Sequence, residues 1–83
     1  MNLANGNYKM TIAKWNKTFS FSVIDGGVIE GDVDGSIQDG KLLVVQGEME
    51  LVGKFDSQTE VTCQARGAGT NNENDLKVSI QKV

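Results

Sequence analysis

Eighty-three residues leave room for one domain, spanning residues 1–83, and a chain this short buries only about 60% of its unfolded surface on folding. A hydrophobic content of 39% with 23% charged residues describes a chain that folds rather than a disordered one. The net charge of −3 argues against general nucleic-acid affinity, which needs a positive surface to release phosphate counterions.

The opening, Met1 to Gly6, has neither the basic stretch nor the apolar stretch of a secretory signal, and no apolar run reaches the ~18 residues of a membrane span. No membrane association is therefore expected. The single cysteine, Cys63, rules out an internal disulfide and leans toward a reducing, cytoplasmic setting, although a chain whose signal had been removed would read the same.

Period-2 alternation recurs along the chain and no segment carries a helical stripe, so strands are expected throughout. Tyr8, Met10 and Ile12 alternate with polar neighbours, as do Phe19, Phe21 and Val23. A two-residue loop at Trp15-Asn16 opposes Ile12 to Phe19, Met10 to Phe21 and Tyr8 to Val23. The loop Asp25-Gly26-Gly27 opposes Val23 to Ile29, Phe21 to Gly31 and Phe19 to Val33. A three-residue loop Gln38-Asp39-Gly40 opposes Gly35 to Leu43, Val33 to Val45 and Ile29 to Met49, which turns Leu42 and Val44 outward. Asp56-Ser57-Gln58 sets Leu51 against Cys63 and Met49 against Ala65. A polar loop around Thr70 to Asn74 sets Ala65 against Val78 and Cys63 against Ile80.

These pairings predict an all-β fold: a six-stranded antiparallel meander over residues 7–14, 17–24, 28–37, 41–55, 59–69 and 75–83, strongly coiled or closed into a small barrel. Gly31, Gly47 and Gly67 fall side by side on the inner face next to Phe21. Such a row lets a sheet coil, with the aromatic ring covering bare backbone. The competing reading is a groove that holds an apolar or lipid-like ligand.

The chain has no histidine, which removes the usual neutral-pH general base, the common nucleophile triads and most zinc sites. Cys63 is expected on the inner face as a small buried hydrophobe. No catalytic residue, cofactor or metal is predicted, and the chain is not expected to be an enzyme. Asp32-Val33-Asp34-Gly35-Ser36 superficially resembles the start of a calcium loop, but Ile37 and Leu43 stand where that loop needs glycine and glutamate. Gly67-Ala68-Gly69-Thr70 lacks the lysine of a phosphate loop and reads as a strand end.

Charge is unevenly spread: residues 1–20 carry +3, whereas residues 21–60 hold nine acids against Lys41 and Lys54, a net of −7. Glu30, Asp32 and Asp34 fall on one outer face, with Glu48 expected opposite Glu30 and Glu50 close by. Either this face is solvated and discourages sheet aggregation, or it docks a basic partner steered by the negative field. Ile24, Val28, Leu42 and Val44 add an apolar rim that would suit an interface, including a homodimer. Trp15, between Lys14 and Lys17, either folds back as a barrel plug or offers an aromatic anchor. The leading expectation is a non-enzymatic protein-binding module, an inhibitor or adaptor, using Glu30, Asp32, Asp34, Glu48, Glu50, Leu42, Val44 and Trp15 against a protein with a basic surface. The alternatives are a barrel that binds a lipid-like ligand and a structural component of a larger assembly.

Overall fold

The structure, a computed structural model, describes residues 3–67 and 72–83. Eight antiparallel strands follow one another around a closed barrel: β1 (Gly6–Ile12), β2 (Lys17–Ile24), β3 (Val28–Gly31), β4 (Asp34–Gln38), β5 (Lys41–Gln46), β6 (Met49–Phe55), β7 (Glu60–Gly67) and β8 (Glu73–Lys82). Each strand pairs with its sequence neighbours, and β1 closes the ring on β8 through Tyr8 to Thr11 against Ser79 to Lys82. Closure leaves no open edge, and eight strands give an interior just wide enough for side chains to fill. Met10, Ile12, Val23, Ile29, Ile37, Leu42, Val44, Leu51, Val61, Val78 and Ile80 fill it, all essentially inaccessible to water. Tyr8 stacks on Phe21 with ring centroids 5.7 Å apart, and its hydroxyl donates to the Ala4 carbonyl at 2.6 Å.

The expected meander and barrel closure are present, but with eight strands rather than six, because two of the expected strands fold back on themselves. Residues 28–37 divide into β3 and β4. The chain reverses between Glu30 and Asp34, pairing Val28 with Ser36 and Ile29 with Gly35, and the buried Val33 sits in the bend. Residues 41–55 divide at Gly47-Glu48, where Gln46 pairs with Met49. Gly47 has φ +58°, a left-handed conformation suited to glycine in a tight turn.

Three pairings differ from expectation by an even number of residues and so keep every side chain on its expected face. A one-turn 3-10 helix at Ala13–Trp15 lengthens the first hairpin, and Met10 lies opposite Phe19 rather than Phe21. Leu51 opposes Ala65 and Cys63 opposes Leu76, the latter next to a bulge between Cys63 and Ala65. The expected strand end over Gly67 to Thr70 and the loop around Thr70 to Asn74 fall partly outside the described residues. The β2–β3 register is as expected, with Phe21 opposite Gly31 and Val23 opposite Ile29.

One hairpin differs by an odd number. The β4–β5 connection is the two-residue turn Asp39-Gly40, both with positive φ (52° and 75°), and not the three-residue loop Gln38-Asp39-Gly40. Gln38 therefore pairs with Lys41 and Ile37 with Leu42, and β5 is inverted: Leu42 and Val44 are 1% and 0% exposed, while Leu43 and Val45 are each 37% exposed. The second two-residue turn, at Gly47-Glu48, restores the expected parity in β6, so the inversion is confined to one strand.

Candidate functional site

Inverting β5 rebuilds the outer face from which a docking surface was expected. Leu42 and Val44, expected on its rim, lie in the core, and their places are taken by Leu43 and Val45. Antiparallel partners align across the wall, so the outward side chains of the middle strands form three rows about 7 Å apart, two residues along each strand. The central row runs Val28, Ser36, Leu43, Val52, Gln64 from β3 to β7, and Ile24 of β2 extends it opposite Val28. Val28, Leu43, Val45 and Val52 are the large hydrophobic side chains left exposed within strands among the described residues.

On one side of this row runs an acidic line: Asp34, Val45, Glu50 and then Arg66. Glu48 does not lie opposite Glu30 as expected. Glu30 lies opposite Ser22, Glu48 occupies the β5–β6 turn, and Glu50 lies opposite Arg66, a pairing of opposite charge. Arg66 also donates to the Gln64 side chain at 2.9 Å.

On the other side runs a basic line: Gln38, Lys41, Lys54, Thr62 and Lys77. The Lys77 ammonium donates to the Thr62 hydroxyl at 2.7 Å, and that hydroxyl donates to Asp56. A shallow depression of about 500 Å³ lies beside Val52 at this end, bordered by Lys41, Lys54, Asp56, Thr62 and Asp75. The surface thus grades from acidic through apolar to basic within about 14 Å, four residue rises along a strand.

Asp32 and Trp15, both expected to meet a partner, hold the fold together instead. One Asp32 carboxylate oxygen accepts the Ser20 backbone N–H at 2.9 Å, the Asp32 N–H donates to the Ser20 carbonyl at 2.9 Å, and Gln46 donates to the Asp32 carbonyl at 3.2 Å. Asp32 therefore ties the β3–β4 bend to β2. Trp15 is half-buried against the core at the mouth of the barrel, and its indole N–H donates to Glu73 at 3.1 Å. This is the plug arrangement, not a presented anchor. The other Glu73 oxygen pairs with the Lys14 ammonium at 2.8 Å. The Lys14 hydrogen bond first and the Trp15 hydrogen bond second hold the Glu73 carboxyl below its usual range. Nothing in sequence reasoning singled out Glu73, which lies 58 residues from Trp15 and meets it only once β8 closes the barrel.

Cys63 is buried in the core, and burial, reinforced by the negative charge of Asp56, pushes its thiol up to about 11. The expected glycine row does not form. Gly31 does lie opposite Phe21, but a Cβ there would meet the Ser20 carbonyl and Phe21 backbone, a Cβ on Gly67 would meet the Glu48 and Met49 backbone, and Gly47 lies in a turn. Gly31 and Gly67 are sites of close backbone approach and Gly47 serves a turn, so the three do not wall a groove. Among the described residues no three metal-ligating side chains converge, and no helix is long and apolar enough to cross a membrane. No protein-family model matches the chain, and no match was found among curated proteins or solved structures.

Proposed function

We propose that the chain is a non-enzymatic protein-binding module, of the inhibitor or adaptor kind, that docks through the outer face of β3 to β6. The observation that carries this reading is the cluster of Leu43, Val45 and Val52 on β5 and β6, with Val28 beyond Ser36 in the same row, on a wall whose other outward positions are polar. Isolated exposed valines are ordinary, but three exposed apolar side chains clustered on two adjacent strands have the character of an interface. Asp34 and Glu50 next to the apolar row favour a partner with a basic surface and speed its approach, while the apolar row supplies the desolvated centre from which binding energy comes.

Immobilised chain incubated with cell extract tests the reading. Proteins held by the native surface should be released by high salt and lost from the double variant Asp34→Lys/Glu50→Lys and from Leu43→Ser. Identical capture by native protein and both variants overturns it. Asp32 is unsuitable for this test because its carboxylate supports the β3–β4 bend.

A further inference from the structure

We infer that the partner of this face is a second copy of the chain, in a two-fold dimer whose axis runs across the strands along the Leu43–Val52 row. The inference rests on the docking reading above and names its occupant.

The basis is the order of the three rows. A two-fold axis lying in the contact plane reflects the surface about itself: residues on the axis meet their own copies, and residues on one side meet those on the other. Placed along the central row, it sets Leu43 against Leu43 and Val52 against Val52. It also folds the basic line of each chain over the acidic line of the other. Lys54 then faces the second copy's Glu50, since both belong to β6, and Lys41 faces Val45, which lies between Asp34 and Glu50. Every favourable pair occurs twice. An axis along the strands between β5 and β6 would instead set Lys41 against Lys54, like against like, and leave Glu50 facing Val45 rather than a lysine.

A partner that was only basic would leave Lys41, Lys54 and Lys77 opposed by its own charge. The chain itself offers both signs at the required separation of about 14 Å. A stable interface needs about 800 Å² from each partner, roughly a sixth of the 4969 Å² surface.

The decisive experiment uses two charge variants and sedimentation equilibrium on the full chain. The first, Asp34→Lys/Glu50→Lys, makes both lines basic; the second, Lys41→Glu/Lys54→Glu, makes both acidic. Native protein should dimerise, and each variant alone should weaken self-association by about tenfold or more. An equimolar mixture of the two should form a heterodimer, because every acidic line then meets a basic one. Asp34, Lys41 and Lys54 are exposed and Glu50 is half-buried, so circular dichroism checks that each variant folds. Leu43→Ser, which leaves all charges in place, should also weaken the dimer.

A native chain that stays monomeric at every concentration overturns the inference, as does a dimer indifferent to these substitutions or a mixture that does not associate. These failures are distinguishable from failure of the docking reading. If native protein is monomeric yet still captures a protein that Leu43→Ser releases, the face docks a different partner. If native protein is monomeric and capture is unaffected by Leu43→Ser, both ideas fall.

Discussion

Strands β1, β2, β7 and β8 run for seven to ten residues, and their outer faces carry hydroxyls, amides and lysines such as Lys9, Thr11, Thr18, Ser20, Ser22, Lys77, Ser79 and Gln81. Strands β3 to β6 run for only four to seven residues, turn twice on two-residue loops, and carry Val28, Leu43, Val45 and Val52 outward. Inward, the two halves are alike: Met10 and Val78 are as dry as Val44 and Leu51. Folding therefore makes the same demand of both halves, and only the outer faces differ. The apolar cluster in the short half is the outward difference on which the proposed docking reading rests.

The short half is also where backbones approach most closely, and the largest expected effect comes from there. A Cβ on Gly35 would run into the Leu43 carbonyl oxygen and lie 3.0 Å from Val44 Cα, backbone that cannot step aside without breaking the β4–β5 ladder. Gly35→Ala should destabilise the fold by about 3 kcal/mol, at the upper end for overpacking, in chemical denaturation. Gln81→Ala, at an exposed position on the outer face of the long half, should change stability by less than about 0.5 kcal/mol. A Gly35→Ala protein as stable as the native chain would mean that β4 and β5 do not pair in this register.

A sharper test separates adjacent residues within β5. Leu42→Ala removes a core side chain and should cost about 3 kcal/mol, whereas Leu43→Ala removes a surface one and should cost less than about 0.5 kcal/mol. Equal costs would contradict the two-faced character of the short half.

That pair of residues also shows what could and could not be read from the chain. In β1, β2, β7 and β8 polar residues interrupt the apolar ones, so alternation places inward side chains such as Tyr8, Phe21, Cys63 and Val78 correctly even where the register differs by two or four residues. Across Leu42-Leu43-Val44-Val45 every position is apolar, so alternation carries no parity and the choice fell to the turn alone. Gly40 suits a three-residue loop and a two-residue one equally well, and the wrong choice exchanged the faces. The unbroken run had its own meaning: in a chain that otherwise alternates, a strand apolar on both faces lines the core and also marks the outer wall. The acidic residues were legible as an outward group, but not their separation by the bends at Asp32 and Glu48, because Gly31 and Gly47 read as strand glycines. The contact between Trp15 and Glu73 depends on barrel closure, which no local pattern encodes.

Asp32 joins the two halves, and its removal probes how far the short half depends on the long one. Asp32→Ala withdraws the acceptor for the Ser20 N–H, and the site is exposed, so water partly replaces it; the cost should be about 1 kcal/mol. Amide exchange should accelerate at Ser20 and through β3 and β4 while β7 and β8 keep their protection. Uniform acceleration around the ring would show that the barrel opens only as a whole.

The smallest effect belongs to the long half, at the barrel mouth. Because Lys14 and Trp15 hold the Glu73 carboxyl below its ordinary value of 4.5, the ionised form is favoured more in the folded chain than in the unfolded one. This contribution is complete above that ordinary value and disappears as pH falls through the lowered one. Lys14 is largely exposed, so salt screens its part. Glu73→Gln keeps an oxygen for the indole but removes the charge, and should lower Tm slightly at neutral pH. The difference from native protein should shrink as pH drops below about 4.5 and close once native Glu73 is protonated. The sole tryptophan makes its fluorescence a local reporter: an acid transition in the native emission that vanishes in Glu73→Gln assigns the titration to this contact. A Tm difference that stayed constant down to the lowest pH at which the barrel survives would mean that Glu73 matters at the mouth for its shape and hydrogen bond, not for its charge.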